Sequence, residues 1–349
     1  MNFALITLFF HLYTFKVDDK IVQFTNAGDD LTDPFIRMGA MRELRTGKET
    51  LQSTLAYTLA EQRKESFIKK LEINNKRHLQ VFFSLQNSHS SAWLDARPTE
   101  DSFIMSNDVF QTALASRLYM VNSNVRKLSV STCNCSRQID LHGNHFITGC
   151  PCNNASSRPH NAVQQSLLSI IRYSGYRCLN EEYGLFHSSI NPTNNRPDIS
   201  ILNPGTLATD LESERGTTKL LIDVSITKAI TVPITGEVQP SLRDARNTGL
   251  ATINVFKKKW TQYAAIFNKL KESDTAQKLG IIPFIMLTTG LIHNKSLLLL
   301  KSLAETASIT HDIPKSVMYH RFKKIVSCAL QRGIADAISV RCKFLKSKT

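Results

Sequence analysis

Four of the seven cysteines fall within twenty positions, and the run reads Cys133-Asn134-Cys135, nine residues, His145, four residues, Cys150, with His142 and Cys152 in the same loop. Zn2+ takes four soft or borderline donors in a tetrahedron, and two donor pairs on adjacent turns supply that set. An odd number of cysteines, gathered beside histidines, does not suit an extracellular disulfide framework and points to an intracellular metal site. The expected ligands are Cys133, Cys135, His145 and Cys150. The single residue between the first two thiols is tighter than the usual two to four, which keeps His142 and Cys152 as substitutes.

A second set is made of acids. Glu181 and Glu182 follow a helical stretch, Asp198 sits in Arg196-Pro197-Asp198, and Asp223 interrupts the apolar run Leu220-Leu221-Ile222-Asp223-Val224-Ser225-Ile226. A carboxylate inside such a run is costly to bury alone. It needs either a structural partner such as Arg196 or a divalent cation shared between Asp198 and Asp223. Mg2+ binds through a few carboxylates plus substrate phosphate oxygens and activates water for attack on phosphorus.

The third feature is a lysine in an apolar stripe. Val255, Phe256, Tyr263, Ile266 and Phe267 recur at helical spacing, and Lys259 lies among them. A lysine aimed at a sheet can orient water or neutralise charge developing at a phosphate. It can also snorkel from the stripe edge. Lys257 and Lys258 point away, as solvated side chains or phosphate contacts.

The elements that must position these groups alternate. Residues 35–75 are helical in pattern. Ala162–Tyr173 reads as a helix with Val163, Leu167, Ile170 and Ile171 on one stripe. Strands are expected at Tyr176–Leu185, Pro197–Leu202, Lys219–Thr227 and Gly280–Leu287, with a polar loop at 203–218 and a long helix at 243–272. This order implies an α/β core layered between helices. Three regions follow: a mainly helical 1–130, a knuckle at 131–160 held by something other than a core, and 161–349 ending in basic helices.

The charge is unevenly placed. The chain of 349 residues carries a net +14, of which residues 240–349 hold +13 and residues 133–239 hold −1. Acids beside a basic surface suit a site that works on a phosphate backbone, against the plainer reading of a solubilising tail. Lys295, Lys301, Lys315, Arg321, Lys323, Lys324, Arg332, Arg341 and Lys343 are the side chains expected to track that backbone. No apolar run of about 18 residues exists to span a membrane. Met1–Phe10 is apolar but lacks a basic flank and a small-x-small cleavage site, so it reads as an arbitrary chain start and not as a secretion signal.

Taken in order, Cys133-x-Cys135…His145…Cys150, then Pro159-His160-Asn161-Ala162-Val163, Glu181, Arg196-Pro197-Asp198 and Ile222-Asp223-Val224 resemble the restriction-endonuclease-like domain of non-LTR retrotransposon proteins. Ser91-Ala92-Trp93-Leu94-Asp95, Phe110…Arg117-Leu118 and Ala329-Leu330-Gln331-Arg332-Gly333 fit the same region, so the similarity runs over about residues 85–340. The resemblance implies a CCHC zinc knuckle and a three-layer α/β/α core of the PD…(D/E)xK type. That core nicks one strand of target DNA, whose 3′ end primes reverse transcription.

Asp198 then matches the first aspartate, Asp223 the second acid and Glu181 the acid after the first helix. Ser225 fills the lysine slot, so Lys259 matches the lysine displaced to the next helix. Pro159 replaces a basic residue before His160. His160, Lys257, Lys258, Lys323 and Lys324 become DNA contacts, with Mg2+ as catalytic and Zn2+ as structural metal. DNA, with element RNA beside it, becomes the partner and the nucleus the compartment. The only Asp-Asp pairs, Asp18-Asp19 and Asp29-Asp30, lack the aromatic-x context of a polymerase, so the chain resembles the tail of a larger element protein. Ser225 and the missing polymerase also fit a rival reading, a catalytically dead nucleic-acid-binding remnant.

Overall fold

The structure, a computed structural model, describes residues 51–182, 185, 196–207, 217–230, 239–247, 249–272 and 278–347. The chain start, the helical pattern over 35–50 and most of the 203–218 loop lie outside the described residues. The chain divides after Asn74 into two units. The first contributes helix α1 (Leu51–Asn74), with a Lys64–Glu61 pair one turn apart on its surface. The second, from Asn75 on, holds everything below.

Its elements are α2 (Lys76–Leu85), α3 (Asn107–Arg117), α4 (Ser123–Arg126), α5 (Asn144–Thr148), α6 (Arg158–Tyr173), β1 (Arg177–Asn180), β2 (Ile199–Leu202), β3 (Lys219–Thr227), α7 (Leu242–Arg246), α8 (Leu250–Glu272), β4 (Leu279–Leu287), α9 (Asn294–His311) and α10 (Lys315–Lys346). The four strands lie in the order β1-β2-β3-β4, antiparallel across the first two pairs and parallel between β3 and β4. A parallel pair needs a crossover, and α8 supplies it.

β4 is buried from Gly280 to Leu287 and β3 from Leu220 to Val224, because helices cover both faces of the sheet there. Alternation sends Leu220, Ile222 and Val224, with Ile282, Phe284 and Met286, into one large cluster with the apolar stripes of α6, α9 and α10. The opposite face presents Leu221 and Ile281 to Tyr263 and Ile266 of α8. The expected α/β core between helices is therefore present. All four residues of the expected α6 stripe are buried. The expected 243–272 helix is two, because Asn247 turns extended and ends α7 before α8 begins.

The knuckle is not set apart from this core. Val125, Cys133, Phe146, Ile147 and Cys150 belong to the same apolar cluster as the sheet. Residues 75–130 are tied to the later elements at several points. Trp93 packs with Ala113 of α3 and Cys328 of α10. Arg117, 5% exposed, donates to the carbonyls of Ser90 and Thr289. Arg321 grips Glu100, and Arg332 donates to the Asp101 carbonyl. The spacing of apolar residues in 75–130 could not show these partners, because most of them are backbone carbonyls.

α10 is the spine of the unit, and Gly333 is where it passes α6. A Cβ there would stand 2.6 Å from the Pro159 Cα and 2.9 Å from the Arg158 carbonyl oxygen. Both are backbone atoms that cannot swing aside. Gly333 in the run ending Arg332-Gly333 is thus a close-packing residue. Gly333→Ala should destabilise the protein by about 1–3 kcal/mol through overpacking. An unchanged urea midpoint in this variant would show that the two helices can separate without cost.

Candidate functional site

Two groups of reactive side chains form in the structure. The first is sulfur. The ligand atoms of Cys133, Cys135, Cys150 and Cys152 all lie within 4.8 Å of one another, with Cys133 and Cys150 sulfurs 3.5 Å apart. Sulfurs at Zn–S lengths of about 2.3 Å stand about 3.8 Å apart in a tetrahedron, so the set fits a Zn2+-sized ion. The cysteines are free thiols. His145 was expected as the fourth ligand; its Nε2 is 3.3 Å from the Cys135 sulfur, beside the four thiols. Cys152 joins because the two-turn 3-10 helix Cys152–Ser157 folds back before α6 starts.

The loop carrying His145 is built by local bonds. Asp140 accepts from the amides of His142, Asn144 and His145, a compact turn that sets α5. Gly143 takes φ 78 at its head, with Ile338 of α10 against it. His142 stacks flat on Tyr119 at 3.9 Å and lies outside the sulfur cluster.

Behind the thiols stands Arg341, fully buried, whose Nη2 donates to the Cys133 sulfur at 3.0 Å. Its Nε and Nη1 have no hydrogen-bond partner among the described residues. Burial works to raise the Cys133 thiol. Hydrogen bonds from the Cys135 amide, His145, Arg341 and Cys150 outweigh that and bring it below its ordinary value, toward the thiolate a metal requires. Cys150 moves the other way, pushed up by burial and by Cys133 beside it.

The second group is the acids. Ile199 pairs with Ile222, and the Asp198 amide donates to the Ile222 carbonyl at 3.0 Å, so extending the register by one places Asp198 opposite Asp223. Directly opposed residues share a sheet face, here the face that α8 covers. Asp198 Oδ2 accepts from the Val224 amide at 2.6 Å and contacts His160 Nε2 at 3.1 Å. Lys259 Nζ donates to Asp223 Oδ2 at 3.0 Å. The helical phase of α8 that buries Tyr263 and Ile266 carries Lys259 to the sheet. Tyr263 donates to the Arg196 carbonyl and also bonds Asp223.

Burial dominates the electrostatics here. Asp223 is 5% exposed, and burial with the nearby Asp198 charge lifts its carboxyl above the ordinary range despite Lys259. The same burial, with Asp223 and Asp198 alongside, raises Tyr263 and keeps its phenol protonated. For His160, burial works downward, but the hydrogen bond and charge of Asp198 win and raise it.

Glu181 ends β1 in the left-handed region at φ 48, its amide bonded to the Asp198 carbonyl and its side chain 3.0 Å from Arg196. Glu182 pairs instead with Lys219. Gln164, one turn after His160, donates to Asn180 Oδ1 and the Asp198 carbonyl; it is a positioning residue that no motif signalled.

Several expected DNA contacts are placed otherwise. Lys257 and Lys258 are exposed as expected. Lys323 is 7% exposed with its ammonium 4.5 Å over the Tyr319 ring, so it is a packed cation and not a phosphate contact. Arg341 belongs to the sulfur site. Lys315 pairs with Glu305, and Arg321 and Arg332 hold the 100–101 turn. Lys324 is half-buried, while Lys301 and Lys343 are exposed. His160 faces Asp198. The basic third therefore offers far fewer free cations than its count suggests, because α10 spends several on packing. No described helix is long and apolar enough to cross a membrane.

No protein-family model matches this chain, and no curated protein matches it.

Proposed function

We propose that the chain is a metal-dependent DNA endonuclease that nicks target DNA for retrotransposon integration, as the tail of a reverse-transcriptase-like protein whose place of action is the nucleus. The observation that carries this reading is the meeting of Asp198, Asp223 and Lys259, which come from two strands and a helix far apart in sequence. Ser225 fills the position where the resembled motif has lysine, and Lys259 brings an ammonium to Asp223 from α8.

A divalent cation suits this donor set. Asp198 and Asp223 are opposed acids, one of them buried with its carboxyl raised above the ordinary range, and Lys259 and His160 are the side chains that face them. Among the described residues the acids do not form a group of three or more donors within 4.8 Å, so water and phosphate oxygens would complete a Mg2+ shell, as this ion prefers. Bound there, Mg2+ would supply Lewis-acid activation of water and of the scissile phosphate. Asp198 and Asp223 would hold it. Lys259 would hold Asp223 in place and balance charge on the phosphate. His160 would orient the Asp198 carboxylate. Glu181, at the edge with Arg196, would assist from outside.

Ser225 also favours the second reading, a nucleic-acid-binding remnant without chemistry. Nicking of supercoiled plasmid by the full chain with Mg2+ separates the two. Wild type should nick and leave a 3′-hydroxyl, and Asp198→Ala should lose about 10²–10³-fold. Equal nicking by both proteins would sink the endonuclease. DNA binding without nicking in either would establish the remnant.

A further inference from the structure

Three aromatic rings stand in a row along one flank of α8. Phe256 stacks on His293, the N-cap of α9, with centroids 4.5 Å apart and planes 16° from parallel. Trp260, one turn on, lies 12° from parallel with Phe256 at 6.0 Å. Trp260 is 49% exposed, and Ile253 before it 38%. The other tryptophan, Trp93, is 3% exposed and packed in the core.

The place of this row follows from helical phase. At about 100° per residue, the face holding Thr252, Lys259, Tyr263 and Ile266 turns to the sheet, and Phe256 and Trp260 fall immediately beside it. Trp260 follows Lys259 in the chain and projects about 100° round the helix from it, on the solvent side of Phe256. Lys257 lies three residues before Trp260 and is its neighbour on the helix surface. Lys257 and Lys258 are exposed, and α8 has no acid before Glu272.

We propose that Trp260 is a stacking platform for an unpaired base of a single nucleic-acid strand, with Lys257 on the adjoining phosphate. The proposal rests on the endonuclease reading for its meaning, and it names the substrate form: DNA with an unstacked base close to the scissile phosphate. Bases in an intact duplex are already stacked and offer this indole little. An unpaired base offers a free π-face, and such contacts are tolerant of sequence. The Phe256–His293 stack holds the indole in place beforehand, which lowers the entropy lost on binding. Lys257 beside the ring, on a helix with no acid before Glu272, matches a phosphate strand better than an apolar protein surface.

The full chain, without added Mg2+, is titrated with a thymidine oligonucleotide and with a blunt duplex while tryptophan emission is followed. Trp93 is buried, so quenching reports Trp260. The single strand should quench. Trp260→Ala should weaken single-strand binding by about 5- to 150-fold and leave duplex binding unchanged. Trp260→Phe should keep most of the affinity, and Lys257→Ala should lower the single-strand salt slope by about 0.7. Equal single-strand affinity in Trp260→Ala overturns the proposal. So does a self-association lost in that variant with DNA binding intact, which would assign the patch to a second copy of the chain. Nicking without quenching sinks the platform alone, and quenching without nicking sinks the endonuclease alone.

Discussion

Chelating the metal from the thiol centre is expected to lower the melting temperature of the protein sharply. Cys133 and Cys150 sit in the main apolar cluster beside the buried Arg341, whose charge metal-bound thiolates would offset and neutral thiols would not. At a free metal concentration about a thousand times its dissociation constant, binding contributes about 4 kcal/mol, a large share of a typical domain's stability. One Zn2+ per chain should be found. Cys133→Ser and Cys152→Ser should both lose it.

His145→Ala distinguishes the two ligand sets. If Cys152 completes the site, this variant keeps its zinc and loses only the hydrogen bonds of His145 to Cys133 and Cys135. If His145 is a ligand, zinc is lost. Arg341→Met should weaken zinc binding about 10- to 100-fold, as removal of a partner of a ligand does. A protein that binds no zinc, or whose melting is indifferent to chelator, would contradict the assignment of this cluster to a metal.

Much of this arrangement was legible from residue order. β3 and β4 were placed within a residue because continuous β-branched runs have few other uses. The approach of Lys259 to the sheet followed from its phase with Tyr263 and Ile266. The crowding of thiols between Cys133 and Cys152 announced a shared centre, and Cys152 stood among the substitutes. The order of donors within it was hidden, because it depends on how the 152–157 turn closes.

The destinations of cations were the least legible. Lys323 and Arg341 look like surface charges in a basic helix. Lys323 found the Tyr319 ring one turn back on its own helix, a pairing that i,i+4 spacing allows, whereas Arg341 found the Cys133 thiol more than two hundred residues away in sequence. Long side chains carry their own apolar stems, so burial of the helix position does not exclude them. His160 was set down as a DNA contact on the resemblance alone. Its link to Asp198 needed α6 and β2 to meet at their N-terminal ends, which no periodicity encodes.

Asp223→Asn is expected to make the protein more stable and far less active. In the folded state the Asp223 carboxyl is raised above its ordinary value of 3.8, chiefly by burial and also by Asp198, against the pull of Lys259. A raised acid favours the folded state while it is protonated. That advantage is complete below the unfolded value and is lost as pH rises through the folded one. At neutral pH the ionised group is therefore a net cost. Removing its charge should stabilise the fold by about 0.5–2 kcal/mol, the usual exchange between stability and a site kept for function. Lys259 is 28% exposed and can turn its ammonium to water once Asp223 is gone, which limits the penalty on its side.

Paired urea melts of wild type and variant across pH make the test. The stability difference should be small near pH 4, grow as pH rises through the folded Asp223 range, and then level. His160 loses stabilisation as pH rises above 6.5, and because the Asp223 charge helps Asp198 to raise it, the variant keeps only part of that contribution; the Asp223 comparison is therefore made below pH 6.5. Nicking should fall about 10²–10³-fold in the same variant. A variant less stable at every pH would mean that the Lys259 pair outweighs burial and that Asp223 is a structural ion pair. A variant that nicks as well as wild type would remove Asp223 from the chemistry altogether.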